Sequence, residues 1–348
     1  VYNVGLVGTG FMALKHVETL ANHPRLRLSA LQHTARSFEV AEQWQRKYGF
    51  AFTTDDYEEF LSSPSVDIVW ICSPNDQHFS QTERALKAGK HVFCEKPLAL
   101  SSGQAEHLSR LAKDSGQVLA VGMNCRFRHQ YVLAKELAES GSLGRLFLVR
   151  GTYLYNSERA VRKQQKSWWL EQANQPLLLT SGLIHTLDLL VWVAGEVREV
   201  SAFGGETILS GLAGADTLVI SLQFERGIIG ELVASMATVR PNDLSLELYG
   251  ESGSVIGDTL IVREQDQFQQ SRLEISQPVL DLGLQVENIL GVLDGRGSLV
   301  NDSERAARNL RVCESIQEAL LQRRSVAVNY DDLRMSPAIS EQHASVKA

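Results

Sequence analysis

The stretch that most restricts the fold is residues 3–16, NVGLVGTGFMALKH: a short apolar strand, the turn Gly8-Thr9-Gly10, then apolar side chains at helical spacing. A strand that turns straight into an amphipathic helix opens a crossover, which joins parallel strands and covers their sheet with its helix. Five further β-branched runs follow, at 26–31, 51–53, 66–72, 91–94 and 118–121. Between them helical periodicity recurs at 38–48, 56–62, 79–88 and 101–114, the last begun by Ser101 or Ser102 as N-cap. In the first helix the stripe is Leu14, Val17, Leu20 and Ala21. The reading is α/β, with a doubly wound parallel sheet over residues 1–123.

Beyond about residue 145 the pattern changes to alternation, as in Leu218, Ile220, Leu222 and Phe224, which share one face of a strand. Similar runs at 146–155, 197–203, 228–235, 245–249 and 254–263 predict a second α/β domain over 124–330, with a large, open, mostly antiparallel sheet. An open apolar face invites a second copy, so a homodimer or homotetramer is expected. A late helix at 303–322 carries Leu310, Cys313, Ile316 and Leu320 on one stripe and is expected to fold back on the first domain. Residues 331–348 read as a tail.

Composition narrows the partners. A chain of 348 residues, 44% hydrophobic, can bury two cores. A net charge of −7 without a Lys/Arg cluster excludes nucleic acid as the main partner. No apolar run reaches the roughly 18 residues of a membrane helix, and none reads as an export signal. The four cysteines lie apart in apolar runs, the pattern of reduced core thiols and a cytoplasmic protein. The nine histidines lack metal-ligand spacing, so no metal is expected.

The glycine turn has a chemical use. Gly8 permits the tight turn, Gly10 lets backbone approach a pyrophosphate, and the helix start, Thr9, Phe11 and Met12 included, supplies N–H groups and positive dipole. Ala13 stands where the usual fingerprint has its third glycine. An acid near the end of the second strand would hold the ribose 2′-OH of NAD, but none occurs from Arg25 to Phe38. The run there is His33-Thr34-Ala35-Arg36-Ser37, whose Arg36 can accept a 2′-phosphate, so NADP is favoured over NAD.

After the fifth run comes Glu95-Lys96-Pro97, at the carboxyl end of a parallel strand, where open α/β sheets place their ligands. Together with Gly8 to Ala13, Cys72-Ser73-Pro74-Asn75-Asp76-Gln77-His78, Val121 to Phe127 and Ile184-His185-Thr186-Leu187-Asp188, this turn resembles the Gfo/Idh/MocA family of NAD(P)-dependent oxidoreductases. The resemblance implies hydride transfer at a hydroxyl or carbonyl carbon of a sugar, cyclitol or related ring. It further implies that Ser73, Asn75, His78 and Asn124 line the cofactor groove, that Glu95 and Lys96 lie beside the nicotinamide, and that Lys96 and His185 flank the reacting oxygen.

Oxidising a secondary alcohol needs a positioned base and a stabiliser of the developing alkoxide. His185 is expected to be the acid/base and Lys96 its polarising, proton-sharing partner. Asp188, three residues on, shares a helix face with His185 and is expected to orient the imidazole or bind substrate. Many family members carry Asp or Asn four residues before this histidine. Here the residue is Ser181, which can hydrogen-bond a substrate hydroxyl but cannot act as a carboxylate base. Trp168, Trp169, Tyr153 and Tyr155 are expected to stack against a ring, and Arg126 to reach a carboxylate. The competing reading is a catalytically silent NAD(P)-binding sensor or partner subunit, with Ser181 in its favour.

Overall fold

The computed structural model describes residues 1–157, 178–209, 212, 214–265, 267–275 and 282–333; Trp168, Trp169 and the tail beyond 333 lie outside the described residues. The six N-terminal runs form β1 (Tyr2–Val7), β2 (Leu26–Gln32), β3 (Phe52–Thr54), β4 (Ile68–Ile71), β5 (His91–Cys94) and β6 (Leu119–Val121). They pair in parallel, in the order β3-β2-β1-β4-β5-β6. The order reverses between β1 and β4, which leaves a crevice at their carboxyl ends. Helices cover both faces, so every residue of β4, Ile-Val-Trp-Ile, is buried. Ile68 and Trp70 share a core with Val4, Leu6, Val17 and Leu20, whereas Val69 and Ile71 join Leu86 and Leu108 on the opposite face.

Helix α1 (Phe11–Ala21) buries Ala13, His16, Val17 and Leu20, so the stripe read from the sequence is corrected. Leu14 is half-buried and Ala21 exposed, because His16 and not Leu14 faces the sheet. Helix α5 (Ser102–Ser115) takes Ser101 as its N-cap, whose side chain accepts from the Gln104 amide.

The second sheet has nine strands: β7 (Leu146–Leu154), β8 (Val197–Gly205), β9 (Thr217–Phe224), β10 (Ile229–Ser235), β11 (Asp243–Gly250), β12 (Gly253–Ile256), β13 (Thr259–Glu264), β14 (Gln267–Arg272) and β15 (Val326–Ala327). Their order is β14-β13-β12-β11-β7-β10-β9-β8-β15, and among the described residues β7 with β10 is the one parallel pair. The run expected at 254–263 is two strands, since Gly257, at a φ of +61°, turns the chain between them. Helices Ile184–Ala194 and Ser303–Gln322 pack on one face, while the other leaves Phe203, Val219 and Ile229 exposed.

The chain then returns to the parallel sheet. Helix Leu282–Leu293, which the sequence reading missed, adds Val286, Ile289 and Leu290 to the core around α1. Helix Ser303–Gln322 lies against α5, where Ser303 Oγ meets Ser109 Oγ at 2.9 Å and Glu314 accepts from the Ser102 amide and hydroxyl at 2.7 and 2.6 Å.

Candidate active site

Gly8 ends β1 at a φ of +95°, and a Cβ there would stand 2.8 Å from the Cys72 carbonyl oxygen, so the turn requires glycine. Gly10 caps α1 without offering a side chain to its first amides, and a Cβ at this position would meet nothing within 4 Å. The amino end of an eleven-residue helix therefore opens onto free space at the switch point of the sheet, which fits a pyrophosphate. Ala13 is fully buried against the sheet. Around the opening Thr9 and Met12 are half-buried and Phe11 exposed. Arg36 is exposed in the turn after β2, inside the reciprocal capping of Thr34 and Ser37.

The turn after β5 carries two adjacent charges with opposite surroundings. Glu95 is buried, with Oε1 2.8 Å from His16 Nε2 and Oε2 accepting the Lys96 amide at 3.1 Å. Burial favours its protonated form, but the His16 bond and the charges of His16 and Lys96 outweigh burial and hold the carboxyl below its usual range. Lys96 is partly buried and donates from Nζ to the Ser181 carbonyl at 2.8 Å. Burial lowers its pKa, and Glu95 opposes the shift.

His78 clamps this turn to the loop after β4: Nδ1 lies 2.6 Å from the Pro97 carbonyl oxygen and Nε2 2.9 Å from that of Ser73. Burial pushes its pKa down against the pull of both carbonyls. Ser73 Oγ donates to Gln81 Oε1 at 2.5 Å.

The helix Ile184–Ala194 is entered through a π-helical turn, Leu178–Leu183, a device that re-aims backbone and recurs at functional sites. It presents Ser181 to the crevice from the second domain. Ser181 Oγ accepts from Asn75 Nδ2 at 2.7 Å while its carbonyl holds Lys96. Gly182 is needed beside it, because a Cβ would stand 2.5 Å from the Tyr153 ring. Tyr153 stacks on Tyr155 with ring centroids 4.2 Å apart.

His185 is partly exposed, and its Nδ1 is buried without a hydrogen-bond partner among the described residues. Burial, then the charges of Lys96 and Arg128, push its pKa well below the usual histidine value. The imidazole is therefore neutral at pH 7 and able to take a proton.

Several of the residues expected to meet a ligand have protein partners in this geometry. Asp188 and Arg126 are buried and bind each other through two bonds of 2.8 and 2.6 Å. Asn309 Nδ2 adds a 2.7 Å bond to Asp188, and the Val300 carbonyl accepts from Arg126 at 3.1 Å. A lone buried charge costs several kcal/mol, so the two satisfy each other rather than meeting substrate. Their pairing anchors the helix that carries His185. The side chains of Asn75, His78 and Glu95 likewise bond to protein groups. Asn124 stays half-buried in the turn after β6.

Three residues of the site were not foreseen: His16, Asn309 and Arg128. His16 could have been found, since it lies three residues after Ala13, on the buried side of α1. Arg128 ends the turn Asn124–Phe127, and its Nε is buried without a partner among the described residues. Nothing in its local sequence separates it from Arg126.

A dinucleotide crevice joined to a mixed-sheet domain that contributes a neutral histidine defines a Rossmann dehydrogenase. Residues 2–123 match the oxidoreductase family with an NAD-binding Rossmann fold, and residues 131–256 match the GFO/IDH/MocA C-terminal domain. The chain belongs to the Gfo/Idh/MocA family. It is 28% identical over 297 residues to 4-carboxy-2-hydroxymuconate-6-semialdehyde dehydrogenase of Sphingobium sp., a match covering 84% of this chain and 91% of that one. It is 26% identical over 324 residues to an NADP(+) scyllo-inositol 2-dehydrogenase of Bacillus subtilis, covering 90% and 94%. A solved structure of levoglucosan dehydrogenase with NADH and levoglucosan matches at a TM-score of 0.81 and 25% identity, over 94% of this chain and 99% of that one. The chain is an NAD(P)-dependent oxidoreductase. No helix among the described residues is long and apolar enough to cross a membrane.

Proposed function

We propose that the protein moves a hydride between NAD(P) and a ring carbon bearing a hydroxyl or carbonyl group, in a sugar, cyclitol or related cyclic compound. The observation that carries this reading is the convergence of Lys96, from the cofactor domain, on the turn that carries Ser181 and leads into the helix of His185. The nicotinamide, when bound, accepts or donates the hydride. In the oxidising direction neutral His185 takes the hydroxyl proton, and the Lys96 ammonium stabilises the charge developing on the oxygen. Ser181, whose Oγ already accepts from Asn75, keeps its own hydrogen to donate to a substrate oxygen. Tyr153 offers a stacking surface. Against a silent sensor, to which Ser181 alone points, stand Lys96 and His185, with Lys96 bonded to the turn that leads into the His185 helix.

NADP is the favoured form, supported by Arg36 and the hydroxyls of Thr34 and Ser37 after β2. A second copy covers the open face of the nine-stranded sheet, where Phe203 and Val219 pair across neighbouring strands and both stand exposed. Four free, buried cysteines fit a reducing compartment, the cytoplasm. The test is reduction of NADP+ or NAD+ by a panel of ring alcohols. Turnover is expected, faster with NADP+. A protein that binds NADPH yet turns over no ring alcohol or ketone in either direction would overturn the reading.

A further inference from the structure

The positive charges of Lys96 and Arg128 both act on His185. Lys96 Nζ rests on a backbone carbonyl, and the Arg128 side chain has no hydrogen bond or ion pair among the described residues. The acids near them are engaged elsewhere. Glu95 is held by His16, Asp188 by Arg126 and Asn309, and Asp243, beside Tyr155, by Arg240 at 3.1 Å. Ser181, between Asn75 and Lys96, adds no charge. Two cations thus act on His185, and no carboxylate among the described residues pairs with either.

The cofactor does not supply the missing anion. Its pyrophosphate belongs at the amino end of α1, and the oxidised nicotinamide ring brings a further positive charge. Unanswered polar groups in a site mark what the ligand provides. A guanidinium presents a planar fork that matches a carboxylate bidentately, which an ammonium cannot do. Arg126, two residues earlier, is closed off by Asp188, whereas Arg128 Nε has no partner among the described residues.

We propose that Arg128 binds a carboxylate of the substrate beside Lys96 and His185, so that the substrate is a cyclic hydroxy acid, of the uronate or carboxylated hemiacetal kind, rather than a neutral polyol. The proposal rests on the dehydrogenase reading above. The reaction leaves the carboxylate unchanged: the C–H bond gives its electron pair and hydrogen to the nicotinamide, the O–H proton passes to His185, and C=O forms.

The test is steady-state kinetics with matched pairs: D-glucuronate against D-glucose, D-galacturonate against D-galactose, and cis-4-hydroxycyclohexanecarboxylate against cyclohexane-1,4-diol. In the wild type each acid is expected to exceed its neutral partner in kcat/KM. Arg128→Gln should lower kcat/KM for the acids by about ten- to a hundredfold, mainly through KM, as loss of a charged hydrogen-bonded pair predicts. The neutral partners should lose much less than the acids do, the thermal midpoint should not fall, and Arg128→Lys should restore part of the loss. Equal or better use of neutral compounds, or an equal effect of Arg128→Gln on both series, overturns the carboxylate site and leaves the dehydrogenase reading standing. Turnover of neither series by cofactor-loaded enzyme overturns both.

Discussion

Three pairs of neighbouring charged or titratable residues meet opposite fates. Glu95 is locked to His16 while Lys96, the next residue, reaches the crevice. Arg126 is closed by Asp188 while Arg128 Nε stays without a partner among the described residues. Asp188 is closed in turn, while His185, one helical turn earlier, keeps a buried Nδ1 without a partner among the described residues. The closed members hold backbone in place, and the open members are the ones the proposed reaction uses. A buried charge that is answered within the protein has no capacity left for a ligand, so satisfaction and not residue type separates structure from function here.

The sharpest way to break this division is to remove the open members. Lys96→Met and His185→Ala should each lower kcat by about a hundred- to ten-thousandfold, the usual contribution of a positioned proton-transfer group. Far-ultraviolet circular dichroism and NADPH affinity should change little for His185→Ala. A fall of less than tenfold in both variants would remove them from the open set.

The closed members should show the reverse. Asp188→Ala leaves the Arg126 guanidinium buried without its carboxylate and should cost about 3–5 kcal/mol in denaturant unfolding. Arg126→Met with Asp188→Leu removes both charges and should cost much less, because no uncompensated charge remains and Asn309 loses only an acceptor. An Asp188→Ala protein of unchanged stability but lost activity would move Asp188 to the open side.

A third test uses pH. His185 is held neutral by burial and by the Lys96 and Arg128 charges, so its folded pKa lies below the roughly 6.5 of an unfolded chain. As pH falls below that value the unfolded chain gains a proton that the folded one refuses, and stability declines until the folded pKa is reached. Above it the contribution is complete. His78, depressed by burial, acts in the same sense. His185→Gln should therefore flatten the loss of urea midpoint between about pH 7 and pH 5 without abolishing it. A profile as steep as the wild type would mean that His185 titrates normally.

Much of the fold was legible because its signals are local. The glycine turn, the β-branched runs and the change from helical periodicity to alternation each occupy a dozen residues or fewer, and each maps to one element. Helix Leu282–Leu293 was not read because Gly283 and Gly291 break its pattern and its face completes the core of a domain nearly 300 residues earlier in sequence. In the site, Lys96 and His185 were singled out by the motifs around them, and Lys96 meets the turn that leads into the His185 helix. The roles of Glu95, Arg126 and Asp188 were not, since their partners lie 79, 62 and 121 residues away in sequence, and only folding decides which side chain answers which.

Asn75 sits on the boundary of the comparison, and substituting it has the smallest expected effect. Its amide donates to Ser181 across the two domains, yet Ser181 borders the crevice, where water can replace the donor. Asn75→Ala should therefore cost about 0.5–1.5 kcal/mol of stability, the net worth of one neutral hydrogen bond. Turnover should fall only modestly, because the bond that Lys96 makes runs to the Ser181 backbone and does not depend on the serine side chain. Ser181→Ala should then reproduce the stability loss, and the double variant should lose little beyond either single change, the signature of one shared interaction. If Asn75→Ala instead lowers kcat as far as Lys96→Met, the Asn75–Ser181 bond fixes the carbonyl on which Lys96 rests, and Asn75 belongs with the residues that position the reaction.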